Sequence, residues 1–275
     1  MKLKKKYRFD NNRQIWRIIP NNNGKLIIEE RETEQKQAYY HCLHIESGKK
    51  ILSNFQPDDK FWVGIESVRD DVIFFHKYAK PDMPKHRGIY AFDFIKKEFI
   101  WKNPDLTYLF FLNTKLYAFN EKFEGRNYFA INPDNGEIVE EISDDHKYIN
   151  CLRDESLLKE SGDGYLFPEV FTAGVSSDPR IDRIINSLKN ENVISGKIEY
   201  LINKDMLMVN FHSANSKGSL DNFFKAVDLS KGKYILEEVI NKETRLFFTD
   251  SFFVKDNLLF LLFGKTRLEV FKIIF

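Results

Sequence analysis

The stretch DVIFFHKYAKPDMPKHRGIYAFDFIKKEFIW, residues 71–101, decides the fold. Its first run, Asp71 to His76, is almost continuously apolar, as in a strand covered on both faces. A polar loop follows, stiffened by Pro81 and Pro84, and Gly88 leads the chain into a second strand, Ile89-Tyr90-Ala91-Phe92-Asp93. A tight turn and a third strand ending at Trp101 complete the unit. The pattern predicts antiparallel strands joined alternately by one long loop and one short turn.

Weaker copies of this unit recur. Segments comparable to Ile89–Asp93 end at residues 44, 93, 132, 228 and 272, so the steps are 49, 39, 96 and 44 residues. The long step reads as one period plus an insertion. After these segments come the turns ESGKK (46–50), PDNGE (133–137) and LSKGK (229–233), each with a glycine where a positive φ is expected. Before them lie the more apolar runs KLIIEE, DVIFFH, KLYAFN, DMLMVN and NLLFLL. Units of four strands with a period of about 40 to 50 residues have the spacing of β-propeller blades.

The expected fold is therefore all-β: one domain over residues 1–275, a β-propeller of about five four-stranded blades, with six blades as the alternative. The last unit stops after its third strand, and FDNNRQIWRII near the N-terminus resembles FDFIKKEFIW of the quoted stretch. An N-terminal strand, Arg13 to Ile19, is thus expected to pair with Arg267–Ile274 and close the ring. Residues 143–197 break the pattern and read as an insertion. Ile181, Ile184, Ile185 and Leu188 fall on one helical face there.

The composition agrees with sheet, with 26 Phe, 12 Tyr and 3 Trp among 275 residues. Basic and acidic residues balance at 42 against 41, which argues against nucleic acid as a partner. The one basic cluster, Lys2 to Arg8, reads as a solvated terminal tail. No apolar run approaches a membrane span, and two cysteines give neither a disulfide framework nor zinc spacing. A cytoplasmic monomer, with no membrane partner, is the expectation.

Motifs for chemistry are sparse. Gly264-Lys265-Thr266 lacks the upstream glycine of a phosphate loop, and neither a nucleophile elbow nor a zinc-protease helix motif occurs. Cys42 and His44 share a strand face without further ligands nearby, so no metal site and no cofactor are predicted. The loop HKYAKPDMPKHRG is the least generic segment. Such long loops on a rigid scaffold carry function. Aligning the second strands places Glu30, His76, Asn120 and Asn210 at equivalent ends. With Asp82, His86, Arg87 and His212 they form a candidate binding site around one channel mouth. Glycoside hydrolysis would need a carboxylate pair, for which Glu29, Glu30 and Asp82 are the candidates.

Trp62 with Gly64-Ile65-Glu66, then residues 76–93, then GRNYFAINPDNGEI (125–138) resemble an uncharacterised bacterial family known only as a domain of unknown function. Single units are also similar to quinoprotein-type and WD-type propeller repeats through I-Y-A-F-D followed by Trp101. That tryptophan is missing from the third and fourth units, so a quinone site is not implied. The resemblance brings no activity and no catalytic residues. The expected function is a non-catalytic binding or scaffold role for a protein or small-molecule partner. The alternative is a hydrolase acting on a saccharide or small ester.

Overall fold

The computed structural model describes residues 1–80, 83–160, 164–174 and 178–275. Strand β1 (Lys2–Asp10) precedes a first sheet of β2 (Gln14–Pro20), β3 (Lys25–Glu32), β4 (Gln37–His44) and β5 (Lys50–Phe55). The second sheet holds β6 (Val63–Arg69), β7 (Val72–Lys80), β8 (Met83–Asp93) and β9 (Glu98–Asn103). The third holds β10 (Thr107–Leu112), β11 (Lys115–Lys122), β12 (Gly125–Ile131) and β13 (Ile138–Ser143). Then come α1 (His146–Glu160), β14 (Tyr165–Leu166), β15 (Glu169–Val170) and α2 (Pro179–Glu191). The fourth sheet consists of β15, β16 (Ile194–Asn203), β17 (Met206–Ala214), β18 (Leu220–Asp228) and β19 (Lys233–Thr244). The fifth combines β20 (Phe252–Lys255), β21 (Leu258–Phe263) and β22 (Arg267–Ile274) with β14 at one edge and β1 at the other. The chain is thus mainly β, with five propeller-like antiparallel meanders.

Contacts divide it into two units, residues 13–163 with the first three sheets and residues 1–12 plus 164–275 with the last two. In the first unit, neighbouring residues of β7 turn to opposite sides. Phe75 joins Ile27, Tyr40 and Ile65 between the first and second sheets, while Phe74 joins Leu116, Ala118 and Ile131 between the second and third. Burial on both faces is why this strand reads as an unbroken apolar run. In the second unit, Met208 packs with Leu259 and Leu261, whereas Leu207, Val209 and Phe211 pack on Ile181, Ile185 and Leu188 of α2.

The short turns follow the expected chemistry. Gly48, Gly136 and Gly232 have φ of 69°, 76° and 64°, and Lys97 takes the corresponding place in the second sheet at 63°. Asp93 Oδ1 accepts from the backbone N–H of Ile95 and of Lys96, fixing that turn.

Four expectations are corrected. The strand that completes the fifth sheet is β1, not Arg13–Ile19; Lys2 pairs with Ile274 and Asp10 with Arg267, while β2 opens the first sheet against β3. The basic cluster is therefore no tail. An outer strand is held by its backbone ladder and tolerates lysines on its solvent side, which removes the apolar alternation that marks inner strands. Third, the long loop is mostly hairpin: β7 and β8 extend the ladder to Lys80 and Met83, which makes His76, His86 and Arg87 strand residues. Fourth, the insertion carries α1 as well as the expected helix. Ile149 of α1 packs on Phe110, Tyr117 and Phe119 of the third sheet. Among the described residues, β14 and β15 are two-residue strands that extend the edges of other sheets, and the last four residues of the insertion begin β16. No helix among the described residues is long and apolar enough to cross a membrane.

Candidate functional site

Two irregularities in the second sheet converge on one imidazole. Along β6 the pairing with β7 runs Ile65 to Phe75 and then Ser67 to Phe74, so Glu66 is the extra residue of a bulge. Along β8 the pairing runs from Tyr90 opposite Phe75 to Arg87 opposite Lys77, so β8 carries an extra residue at Gly88, whose φ is 78°. Bulges re-aim side chains and collect beside functional sites. Here they bring Glu66 from one neighbour and His86 from the other onto His76 of β7.

Glu66 Oε1 lies 3.1 Å from His76 Nδ1 and 2.8 Å from His86 Nδ1. The two imidazoles stack with centroids 3.5 Å apart and planes inclined by 9°, and Tyr78 presents its ring edge-on to both. Room for His76 comes from Gly64, directly opposite on β6. The cluster runs from the interior outward: the His76 side chain is 1% exposed, Glu66 12% and His86 36%. His76 Nε2 is buried without a hydrogen-bond partner, and Nδ1 faces only the Glu66 carboxylate. Burial pushes the His76 imidazole below its usual value, against the pull of Glu66. Burial also works against ionisation of Glu66, but the adjacent His76 and His86 outweigh it and hold its carboxyl below the usual range. Two imidazoles and a carboxylate, with ligand atoms within 4.8 Å of one another, are a donor set able to hold a metal ion.

His86 opens onto a cavity of about 350 Å³ lined by Lys85, His86, Arg87, Asp105, Thr107, Asn120 and Glu121. Lys85 pairs with Glu121, and Arg87 Nη2 lies 3.6 Å from Asp105 Oδ1. Lys85 beside it holds the exposed Glu121 carboxyl below its usual range. Asn120 Oδ1 is buried and has no hydrogen-bond partner. Three predicted site residues, His86, Arg87 and Asn120, thus share one cavity, with His76 behind it.

Other expected members lie elsewhere. Glu30 is buried in the first sheet, with Oε2 at 2.9 Å from His41 Nε2 and 3.4 Å from Arg13 Nη1. Its neighbour Glu29 takes the opposite face and pairs with Arg31 at 2.6 Å, so the two carboxylates do not form a catalytic pair. Asn210 and His212 line a separate cavity of about 370 Å³ in the other unit, with Glu199, Phe247 and Phe248. There Asn210 Nδ2 donates to Glu199 Oε2 at 2.9 Å, and His212 Nε2 accepts from the Phe248 N–H at 3.0 Å. Asp82 lies outside the described residues. The sequence reading did not name Glu66 as a site residue. Its signal was the Gly64-Ile65-Glu66 segment, where a glycine facing a histidine frees space beside a carboxylate.

Residues 19–101 match the model of a family described as a domain of unknown function (DUF4905), which covers the first sheet from the end of β2 and nearly all of the second. Comparison with curated proteins gives no match. Among solved structures, the chain is similar to an uncharacterised protein of Listeria monocytogenes EGD-e, at 11% identity and a TM-score of 0.35, over 91% of this chain and 75% of that one. It is also similar to the Dos1 propeller, at 9% identity and a TM-score of 0.30, over 94% and 67% of the two chains. A third similarity is to a Bifidobacterium bifidum s17 protein described as an exo-β-1,3-galactanase candidate, at 10% identity and a TM-score of 0.27, over 98% and 92% of the two chains. Likenesses this distant carry no inference about chemistry, which rests on the residues of this chain.

Proposed function

We propose that the protein is a single β-propeller of five blades, closed by β1, that works as a non-catalytic binding protein. Its recognition site is the polar cavity between the second and third sheets. The ring reading is supported by the repeated antiparallel meander and by β1 supplying an outer strand of the fifth sheet. The observation that carries the binding reading is the meeting of His86, Arg87 and Asn120 in one cavity of about 350 Å³. The lining offers cationic donors from Lys85 and Arg87 and acceptors from Asn120, Asp105 and Glu121. Such a mixture suits a small polyhydroxylated or phosphorylated molecule.

The second reading, a glycoside hydrolase, draws on Asp105 and Glu121 lining the same cavity. It requires one carboxyl to keep its proton as general acid. Glu121 is exposed and its carboxyl is lowered by Lys85, the reverse of what that role needs. Calorimetric titration with galactose, glucose and glucose 6-phosphate tests the binding reading. Saturable binding of at least one, weakened about tenfold or more by Arg87→Ala and by Asn120→Leu, is expected; each such loss equals about 1.4 kcal/mol. Absence of saturation with all three, or binding indifferent to both variants, rejects this cavity as the site. Turnover of a chromogenic galactoside that disappears in Glu121→Gln would establish the hydrolase instead.

A further inference from the structure

We propose that Glu66, His76 and His86 form a binding site for a divalent transition-metal ion of the zinc type. The proposal rests on the recognition-cavity reading only for the ion's open coordination position.

Four observations lead there. The first is the unmet demand of His76. An imidazole at 1% exposure is expected to have its ring nitrogens satisfied, because a buried polar atom without a partner costs about 1–3 kcal/mol. Nε2 has no partner, and Nδ1 has only the Glu66 carboxylate oxygen, 3.1 Å away. An ion bound between Nδ1 and the carboxylate would join the two at a separation that suits a shared ion as well as a hydrogen bond.

The second is the donor set. Two neutral imidazoles and one carboxylate are the three-ligand arrangement of open zinc sites and of facial two-histidine, one-carboxylate centres. Nitrogen donors favour zinc, copper, nickel or cobalt over magnesium and calcium, which prefer all-oxygen shells.

The third is how much of the backbone is arranged around these atoms. A bulge on β6 turns Glu66 inward, and a second at Gly88 on β8 does the same for His86. Gly64 between them leaves the space that the His76 ring fills. Of the guanidiniums nearby, Arg17 acts on His76 and donates to the Ile65 carbonyl, while Arg31 is neutralised by Glu29 at 2.6 Å and also donates to the Val63 carbonyl at 2.7 Å.

The fourth is access. His86, 36% exposed, lines the polar cavity, so an ion has an entry route and a fourth position facing solvent or a bound ligand. Parallel rings cannot both direct lone pairs at one ion. Binding therefore requires the more exposed His86 ring to turn out of the stack, while buried His76 and Glu66 stay in place.

The test is titration of chelator-stripped full chain with Zn²⁺ alone, and with Co²⁺ followed by its visible absorption, no organic ligand being present. One equivalent of each ion is expected to bind, with Mg²⁺ failing to compete. Glu66→Gln and His86→Ala should each weaken binding by more than the roughly tenfold to hundredfold that losing a supporting partner costs. His44→Ala, an exposed histidine of β4, should leave it unchanged. His86 lies at the open end, so its variant keeps the fold even where His76→Ala does not, and circular dichroism checks this. No stoichiometric binding, or binding untouched by His86→Ala and Glu66→Gln, overturns the site. Metal binding without sugar binding would leave this inference standing and reject only the recognition reading.

Discussion

Gly64 faces His76 across the β6–β7 ladder, and a Cβ placed on it would come within 2.8 Å of the imidazole Cε1. The two residues therefore form one packing unit, in which the smallest residue makes room for a buried ring. Gly64→Ala should destabilise the chain by about 1–3 kcal/mol, the usual cost of overpacking a filled interior. Urea unfolding of Gly64→Ala, His76→Ala and the double variant checks this. The alanine at 64 should cost much less once the ring is gone, whereas strict additivity would show that the two do not interact.

Cys42 and Cys151 should differ sharply in reactivity. Burial pushes the Cys42 thiol up to about 12, while Cys151 is exposed on α1. The thiolate is the reactive form, so an aromatic disulfide reagent near pH 8 should titrate one thiol in the folded chain and two in urea. Cys151→Ser should abolish the native reaction. Rapid labelling of two thiols without denaturant would contradict the burial.

The outer strand β1 should matter beyond its own contacts. Its Phe9 is buried, Leu3 packs against the core shared by the fourth and fifth sheets, and Lys5 Nζ lies 2.7 Å from Glu269 Oε2. Deleting residues 1–10 exposes the β22 edge and should remove several kcal/mol from a total typically about 5–15. Deletion of residues 1–5 should do less, since it spares Phe9. Equal urea midpoints for the full and shortened chains would count against this role.

Glu199 should make stability fall as pH rises. Burial raises its carboxyl above the ordinary 4.5, with Asn210 pulling the other way and Asp250 adding to the rise. The folded state then holds its proton at pH values where the unfolded chain has lost it. Its favourable contribution is complete below the unfolded value and disappears as pH climbs through the folded one. Glu199→Gln, which can still accept from Asn210, should match the parent near pH 4 and melt higher at pH 7. A parent that melts higher at pH 7 would reverse the sign and refute the account.

Much of this fold could be read from side-chain patterns because its inner strands bury both faces. KLIIEE, DVIFFH and KLYAFN lie in the second strands of their sheets, and DMLMVN and NLLFLL in the middle strands of the two five-stranded sheets. The outer strand β1 could not be read so, because an edge needs no apolar alternation, and the chain was threaded one strand too late. Helix α1 buries only Ile149 deeply among its apolar residues, leaving Leu157 and Leu158 exposed, so its pattern is weak. The site was half legible. His76 and His86 stood out in a polar, proline-flanked segment, whereas Glu66 depends on a bulge that shifts register by one residue. The same sensitivity explains Glu30: an equivalent strand position guarantees no common face, since a single step in register turns a side chain to the other side.

The pairing of β1 with β22 joins residues 2 and 274 in adjacent strands. During synthesis, β1 must wait for β22 before it can find its place. The first three sheets draw only on local segments and can form as they emerge. The fifth cannot be finished until β22 has been made. Until then the lysine-rich strand remains a single, well-hydrated segment, with its charge guarding it against pairing with another copy. Its basic character thus serves the waiting strand as much as the finished sheet, since β1 can take its place only once β22 exists.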